Sequence, residues 1–515
     1  MTRVRPHLLA LCVLSWLLGV AQARPFEDNR AQRVADAITE MDLAHAEQLL
    51  SESAEDSPVF GYERARLAVY SGACDRALAI LSSPVLSETR EGSQLSELAK
   101  SCARATAAGL VVEDAQRGIW LRLQDDEDRV LAPFLFDVAA QARDAISKEI
   151  GVDLPRPLRI DLVRDLFSLS AVSGLPLDAA ETTGTLAVAR WGRVTMLSPR
   201  AMTQGYPWQD TLAHEITHLL VTRATRDFAP LWLQEGLAKR FETRWREPRP
   251  FDQASWADAQ ARAAARGGRS VGIDKLGPSI AMLPTPEAAG TAFAEVTSFV
   301  HFFIEQNGEA GLRLLLGDLR GNGVAGADAA LRSVTGYQLA DWNRRWQTQL
   351  VAGNDAPLTD EKFAPPAPRS ARDLARRARL AEILMGAARP ASAAVELAPM
   401  LEAAPHSARL RAELARALFA SHDDSGVGKV LGARTEIDNL YGPWFGLHGR
   451  VSKAQGDFTA ADSDFTLGLA ATPLSEDVAC EGFSVQTDAV GDKPSLPERP
   501  AWRDLCEATR RLPRD

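Results

Sequence analysis

LAHEITHLL (Leu212–Leu220) followed by WLQEGLA (Trp232–Ala238) is the stretch that organises this chain. His214 and His218 are four residues apart, which on an α-helix places both imidazoles on one face, one turn apart. Glu215 projects about 100° around the same helix, beside that face rather than on it. A second helix carrying Glu235 can supply a third ligand. Two His and one Glu leave the fourth position of a tetrahedral Zn²⁺ to water, the pattern of a catalytic rather than a structural site.

The competing reading is a chance match on a helix with ordinary core histidines. Histidine is scarce, eight in 515 residues, and from this composition the pattern would arise by accident roughly once in a hundred such chains. The context also argues against accident. Asp210–Thr222 (DTLAHEITHLLVT) carries Leu212, Ile216, Leu219 and Leu220 around its circumference, and a helix apolar nearly all round is buried. Buried imidazoles and carboxylates cost free energy unless paired or metal-bound. Leu231, Trp232, Leu233, Leu237 and Ala238 likewise surround a lone Glu235.

HEITH followed by WLxEGLA resembles the gluzincin metallopeptidases, the thermolysin and aminopeptidase clan, and especially its bacterial M1-like relatives. The likeness covers about 115–350. It implies Zn²⁺, one per chain, held by His214, His218 and Glu235. Glu215 would act as the general base that takes a proton from water and passes it to the leaving amine. Sixteen residues separate His218 from Glu235, slightly fewer than in the best-known members, and Gln234 stands where the family usually has Asn. Neither change removes a ligand. Asp210, one turn before His214, is a candidate to hold a histidine ring, and equally an N-cap or a surface carboxylate. Many M1-like relatives use a downstream Tyr to stabilise the oxyanion. The matching segment is FAEVTSFVHFFIEQNG (293–308), and Phe293 stands at that position. Phe donates no hydrogen bond. His301, eight residues on, and Tyr206, just before the zinc helix, are the alternative donors, each also readable as an ordinary core or surface residue.

The surrounding pattern suits such a domain. LRIDLV (Leu158–Val163) alternates as a strand. Leu186–Arg190 and Arg193–Leu197 read as strands joined at Trp191-Gly192, and Thr185–Ser198 is expected at a sheet edge able to bind extended peptide by strand addition. Helices are expected near 294–306, 309–319 and 338–351.

Arg3 and Arg5, an apolar run Leu8–Val20 and Ala21-Gln22-Ala23 have the order of a secretory signal peptide over 1–23. The run is short for a membrane span, so no span is expected after cleavage. Cys74, Cys102, Cys480 and Cys506 remain beyond it. Three connectivities are open. Sequence-local pairing, Cys74 with Cys102 and Cys480 with Cys506, fits an oxidising compartment. Signal and layout point to an exported bacterial protein, periplasmic or extracellular. A net charge of −10 without a basic stripe excludes nucleic acid as the expected partner.

At 515 residues one core does not suffice. Windows beginning near 374, 408 and 442 align at 34 residues, the tetratricopeptide period. Gly449, Gly456, Ala461, Phe465 and Pro473 occupy that repeat's characteristic places in the third. A plain Ala/Leu-rich bundle is the alternative. Residues 31–106 read similarly. The expected fold is mainly α with a small α+β core: a gluzincin-like peptidase domain (113–352) flanked by TPR-like helices. An N-terminal repeat-like domain (24–112) precedes it. A Pro-rich linker (353–369), repeats (370–478) and a C-terminal tail (479–515), irregular after Pro494, follow. Two functions compete. One is an exported zinc peptidase whose repeats recruit a peptide or protein substrate or a protein partner, endopeptidase being favoured because no amine-binding motif is evident. The other is a zinc-binding, catalytically weak scaffold acting through its repeats. Phe293 favours the second reading; the retained Glu215, which ligates nothing, favours the first.

Overall fold

The computed structural model describes residues 29–52, 57–202, 205–252, 254–353, 368–487 and 499–511. The expected signal segment 1–23 and the linker as far as 367 lie outside the described residues.

The chain is mainly helical around one small mixed sheet. Among the described residues six helices come first: α1 (Asn29–Thr39), α2 (Leu43–Ser51), α3 (Pro58–Tyr70), α4 (Cys74–Leu81), α5 (Pro84–Ser87) and α6 (Arg90–Thr106). The Cys74–Cys102 disulfide ties α4 to α6. The sheet then runs through β1 (Leu110–Asp114), β2 (Ile119–Leu123), β3 (Leu158–Val163), β4 (Ala187–Arg190) and β5 (Arg193–Leu197) in the order β1-β2-β3-β5-β4. Between the strands lie α7 (Ala132–Ile150), α8 (Leu166–Ser173) and α9 (Leu177–Thr183). β2, β3 and β5 are parallel; β1 and β4 pair antiparallel at the two edges. Thr185–Ser198 thus holds the edge hairpin expected from its pattern. Trp191 and Gly192 both have positive φ, 57° and 68°, as a two-residue turn matching the twist of paired strands requires.

One sequence expectation changes here: β1 straddles the boundary expected at 113, because the edge strand that opens the sheet begins at Leu110. LRIDLV forms β3 as read, in the centre of the sheet, and its Asp161 is 1 % exposed, since helices cover a parallel strand on both sides. Its carboxylate is shared by Arg122 at 2.6 Å and Arg193 at 3.0 Å. Arg193 also donates to the Val69 carbonyl, and Arg122 to that of Gly72 at 2.8 Å, so this buried cluster joins the sheet to the N-terminal helices.

Next come α10 (Trp208–Thr225), α11 (Leu231–Phe241), α12 (Ala254–Arg266), α13 (Pro286–Asn322), α14 (Ala327–Thr335) and α15 (Leu339–Ala352). Non-helical backbone at Gly308 (φ 68°) divides α13, which accounts for the two helices expected there. Trp342 and Trp346 of α15 are core residues packed on Phe299, Phe302 and Phe303.

The C-terminal part consists of α16 (Pro368–Gly386), α17 (Pro390–Ala403), α18 (Ala408–Ala420), α19 (Asp424–Leu431), α20 (Gly442–Ala454), α21 (Phe458–Leu469), α22 (Glu476–Thr487) and α23 (Pro500–Arg511). Successive helices pack as pairs, and α18 and α20 begin at the 408 and 442 read from the sequence. A Cβ at Gly449 would lie 2.8 Å from the Phe465 ring, so glycine permits the close approach of α20 to α21. Past Pro494, where an irregular tail was expected, Pro500–Arg511 is helical instead: α23 is joined to α22 by the Cys480–Cys506 disulfide and buries Trp502 and Leu505. These helices share the central core. The Trp502 ring meets Phe134 edge-on, and Trp208 Nε1 at the start of α10 donates to the Leu469 carbonyl at 2.9 Å.

Candidate metal centre

The burial of α10 follows from its sequence. Leu212, Ala213, Ile216, Leu219, Leu220 and Val221 are all at most 3 % exposed, because α7, α11, α13 and the β4–β5 hairpin surround the helix. The chain reverses through Arg226 and Asp227, both with positive φ, and α11 starts after Pro230. Gly236 lets α11 seat against α13. A Cβ there would lie 2.7 Å from the Val296 carbonyl oxygen and would overlap the Val300 side chain.

This packing brings three donor atoms together. Glu235 Oε2 lies 3.6 Å from His214 Nε2 and 3.6 Å from His218 Nε2. Glu215, 7 % exposed, is next to them: ligand atoms of His214, Glu215 and His218 all lie within 4.8 Å of one another. The outer ring nitrogens are occupied. His214 Nδ1 faces Glu242 Oε2 at 3.2 Å and His218 Nδ1 faces Gln234 Oε1 at 3.1 Å. The Gln234 amide is oriented by its NH₂, which donates to Thr222 Oγ1 at 3.4 Å. Both outer partners accept, so in the neutral ring Nδ1 carries the proton and Nε2 turns its lone pair inward. Two inward lone pairs and a carboxylate oxygen repel one another unless a proton or a metal cation lies between them. The donor set and its outer hydrogen bonds therefore fit a divalent metal that takes N and O ligands.

The electrostatics agree. Burial opposes the His214 imidazolium, but the carboxylates of Glu235 and Glu242 outweigh it and hold its pKa up to about 9. Burial would raise Glu235, yet His218 and His214 keep it below the usual carboxylate value. Glu242 is lowered likewise, against burial, by Lys239 and His214. Glu215 behaves differently: burial lifts it, opposed by the two histidines and by the Ala189 backbone N–H on edge strand β4. Its carboxylate therefore sits between the histidine pair and the sheet edge.

Asp210 does not hold a histidine. It takes a two-pronged ion pair from Arg246, 2.7 Å on each oxygen, and a hydrogen bond from Trp245 Nε1. Glu242 does what was expected of it, seven residues beyond Glu235 on the same helical stripe. Tyr206 is buried and donates its hydroxyl to the Leu197 carbonyl. His301 lies between Arg240 (3.3 Å) and Glu305 (3.2 Å). Both residues bond to partners other than the three donors. At Phe293, the Lys239 ammonium lies 5.6 Å from the ring centroid while pairing with Glu242 at 3.0 Å. Lys239 and Glu242 carry no role in the sequence reading, and Gln234 enters it only as a replacement for Asn, although Glu235, Lys239 and Glu242 form an i, i+4, i+7 charged stripe.

A buried His-Glu-His group beneath a sheet edge belongs to a metallopeptidase-like domain. Residues 139–352 match the family model of the Peptidase MA superfamily, which supports that class for this segment, under half of the chain. No curated protein and no solved structure matches the chain. Members of the Peptidase MA superfamily are generally metal-dependent, in keeping with the fit of the donor set. The two disulfides point to an oxidising, exported setting, and among the described residues no helix is long and apolar enough to cross a membrane.

Proposed function

We propose that the chain is an exported, gluzincin-type zinc peptidase. The observation that carries this reading is the convergence of His214 Nε2, His218 Nε2 and Glu235 Oε2, with both outer ring nitrogens held by acceptors. His214, His218 and Glu235 would hold one Zn²⁺. When bound, the ion would polarise the scissile carbonyl and make water acidic enough to attack near neutral pH.

The chain's own residues do the rest. Glu215 ligates nothing in this arrangement, and burial has raised its proton affinity; it takes the proton of the attacking water and delivers it to the leaving amine. Edge strand β4 offers backbone to an extended substrate beside Glu215. Lys239, over Phe293 and one turn from Glu235, is the cation this reading places near the developing oxyanion. The helix pairs at 408 and 442 would act as TPR-like repeats that recruit a protein substrate or partner. Endopeptidase action is favoured because no amine-anchoring motif was read in the sequence.

A second reading, a zinc-binding scaffold with little activity, draws on Phe293 and on the commitment of Tyr206 and His301 to other partners. One experiment separates the two: zinc content and cleavage of an unfolded protein mixture, wild type against Glu215→Gln. Equal zinc with cleavage only by wild type supports the peptidase. Equal zinc with no cleavage by either supports the scaffold. Absence of zinc from both removes the ligand assignment.

A further inference from the structure

Behind the metal helix, between the N-terminal helices and the start of β3, lies an open cleft of about 520 Å³. It contains none of the residues of the metal centre. Four arginines line it: Arg64 on α3, Arg76 on α4, and Arg156 and Arg159 at the entry to β3. Two acids also border it. Asp42 is committed to the first turn of α2, where it accepts from the His45 N–H, and Glu47 is exposed on α2.

Arg159 is the informative member. Its Nε is buried without a hydrogen-bond partner, and an Nη donates to the Pro157 carbonyl at 3.2 Å. Burial pushes its pKa down, and the one carboxylate that opposes this, Glu113, makes no ion pair with it. Among the described residues no carboxylate pairs with Arg76, Arg156 or Arg159. The cluster behind the cleft adds to the imbalance, since Arg122 and Arg193 share the single carboxylate of Asp161. A part-buried guanidinium facing a positive cluster is costly unless an anion offsets it. On a chain of net charge −10, this local excess of positive charge runs against the overall balance.

We propose that this cleft is a binding site for an acidic peptide segment, distinct from the metal centre. Arginine forks match carboxylates with paired hydrogen bonds. Met41, Leu43, Leu50 and Leu67 give the same cleft an apolar wall, which suits alternating acidic and apolar side chains. The volume is in the range that encloses a ligand of several hundred Å³, far more than an inorganic oxyanion fills. The cleft shares Met41, Leu43, Pro155, Pro157 and Arg159 with a much smaller void of about 10 Å³ that reaches Leu219 on α10.

The site does not depend on hydrolysis, so its test reads binding alone. A fluorescent hexapeptide alternating leucine with glutamate is titrated by anisotropy into the full chain carrying Glu215→Gln, so that the probe stays intact. The glutamine counterpart of the probe, inorganic phosphate as competitor, and the same protein treated with chelator complete the set. The acidic probe should bind at least about tenfold more tightly than its glutamine counterpart, weaken with salt, and be insensitive to chelator. Arg76→Gln with Arg156→Gln, both at exposed positions and so harmless to folding, should cost at least about tenfold; Arg159→Gln should do the same. Equal binding of the two probes, or full binding by the double variant, would overturn the proposal. Competition by phosphate as effective as that by unlabelled peptide would also overturn it, in favour of a simple oxyanion site. Loss of probe binding on chelation would assign the probe to the metal centre and overturn it too.

Discussion

Replacing Glu242 tests the outer partners of the metal centre most directly. Its Oε2 accepts from His214 Nδ1 at 3.2 Å, the side chain is 7 % exposed, and Lys239 pairs with it at 3.0 Å. A hydrogen bond to a charged group in such a place contributes about 1.5–3 kcal/mol, which at 1.4 kcal/mol per decade is roughly 10- to 140-fold in an equilibrium constant. Glu242→Gln keeps an acceptor for Nδ1 and removes the charge, so zinc affinity should fall about tenfold. Glu242→Leu removes the acceptor as well and leaves the Lys239 ammonium without it; the fall should approach 100-fold, the usual upper range for a residue that orients a metal-binding histidine. The assay is competitive zinc titration against a chromogenic chelator, with circular dichroism to verify folding. Zinc dissociation constants within twofold of wild type for both variants, in folded protein, would refute the assignment of Glu242 to His214. A deficit in Gln and Leu variants alike would show that charge rather than hydrogen bonding is what His214 requires.

Three further outcomes follow from the same geometry. In metal-free protein the His214 pKa of about 9 means the ring is protonated at pH 7, and it must lose that proton to present Nε2. Zinc binding should release about one proton, and affinity should rise about tenfold per pH unit from pH 7 towards 9, which calorimetry in buffers of different ionisation enthalpy will show; a pH-independent affinity counts against the hold of Glu235 and Glu242 on the His214 proton. Gly236→Ala should force α11 away from the Val296 carbonyl, costing about 1–3 kcal/mol and weakening zinc binding together with thermal stability; an unshifted melting temperature and unchanged zinc would contradict the packing described. Removing the Cys480–Cys506 bridge, which closes 26 residues, by double serine substitution should cost about 3 kcal/mol, read as a lower denaturant midpoint, whereas an unaltered midpoint would mean that α23 is held by Trp502 and Leu505 without help.

Much of the centre was legible because local rules suffice for it. A four-residue spacing fixes two imidazoles on one helical face whatever the surroundings, and an all-round apolar helix must be buried. The β4–β5 hairpin could be read from Trp191-Gly192, and the disulfide pairing agrees with sequence proximity. What could not be read shares another cause. LRIDLV is legible as a strand, but that its Asp161 is buried in the centre of the sheet as the counter-ion of Arg122 and Arg193 is not. Asp210 has the right spacing for a histidine partner, but Arg246, 36 residues away in sequence, takes both its oxygens. The segment after Pro494 has the composition of a loose tail, and α23 forms there because its apolar face, Trp502 and Leu505, has a core to meet.

The sequence by itself determined the helix of HEITH, the presence of Glu235 on a following helix, the Glu215 that stands off the ligand face, and the recurrence at 408 and 442. These are matters of period and residue type, carried by neighbours a few positions apart. Only the tertiary structure decided that Glu235 reaches both histidines, that Glu242 and Gln234 accept from the outer ring nitrogens, that the C-terminal helices seat on the start of α10, and that four arginines from three separate elements meet in one cleft. Each of those depends on residues brought together by packing across tens or hundreds of positions, where one-dimensional pattern has no term for distance.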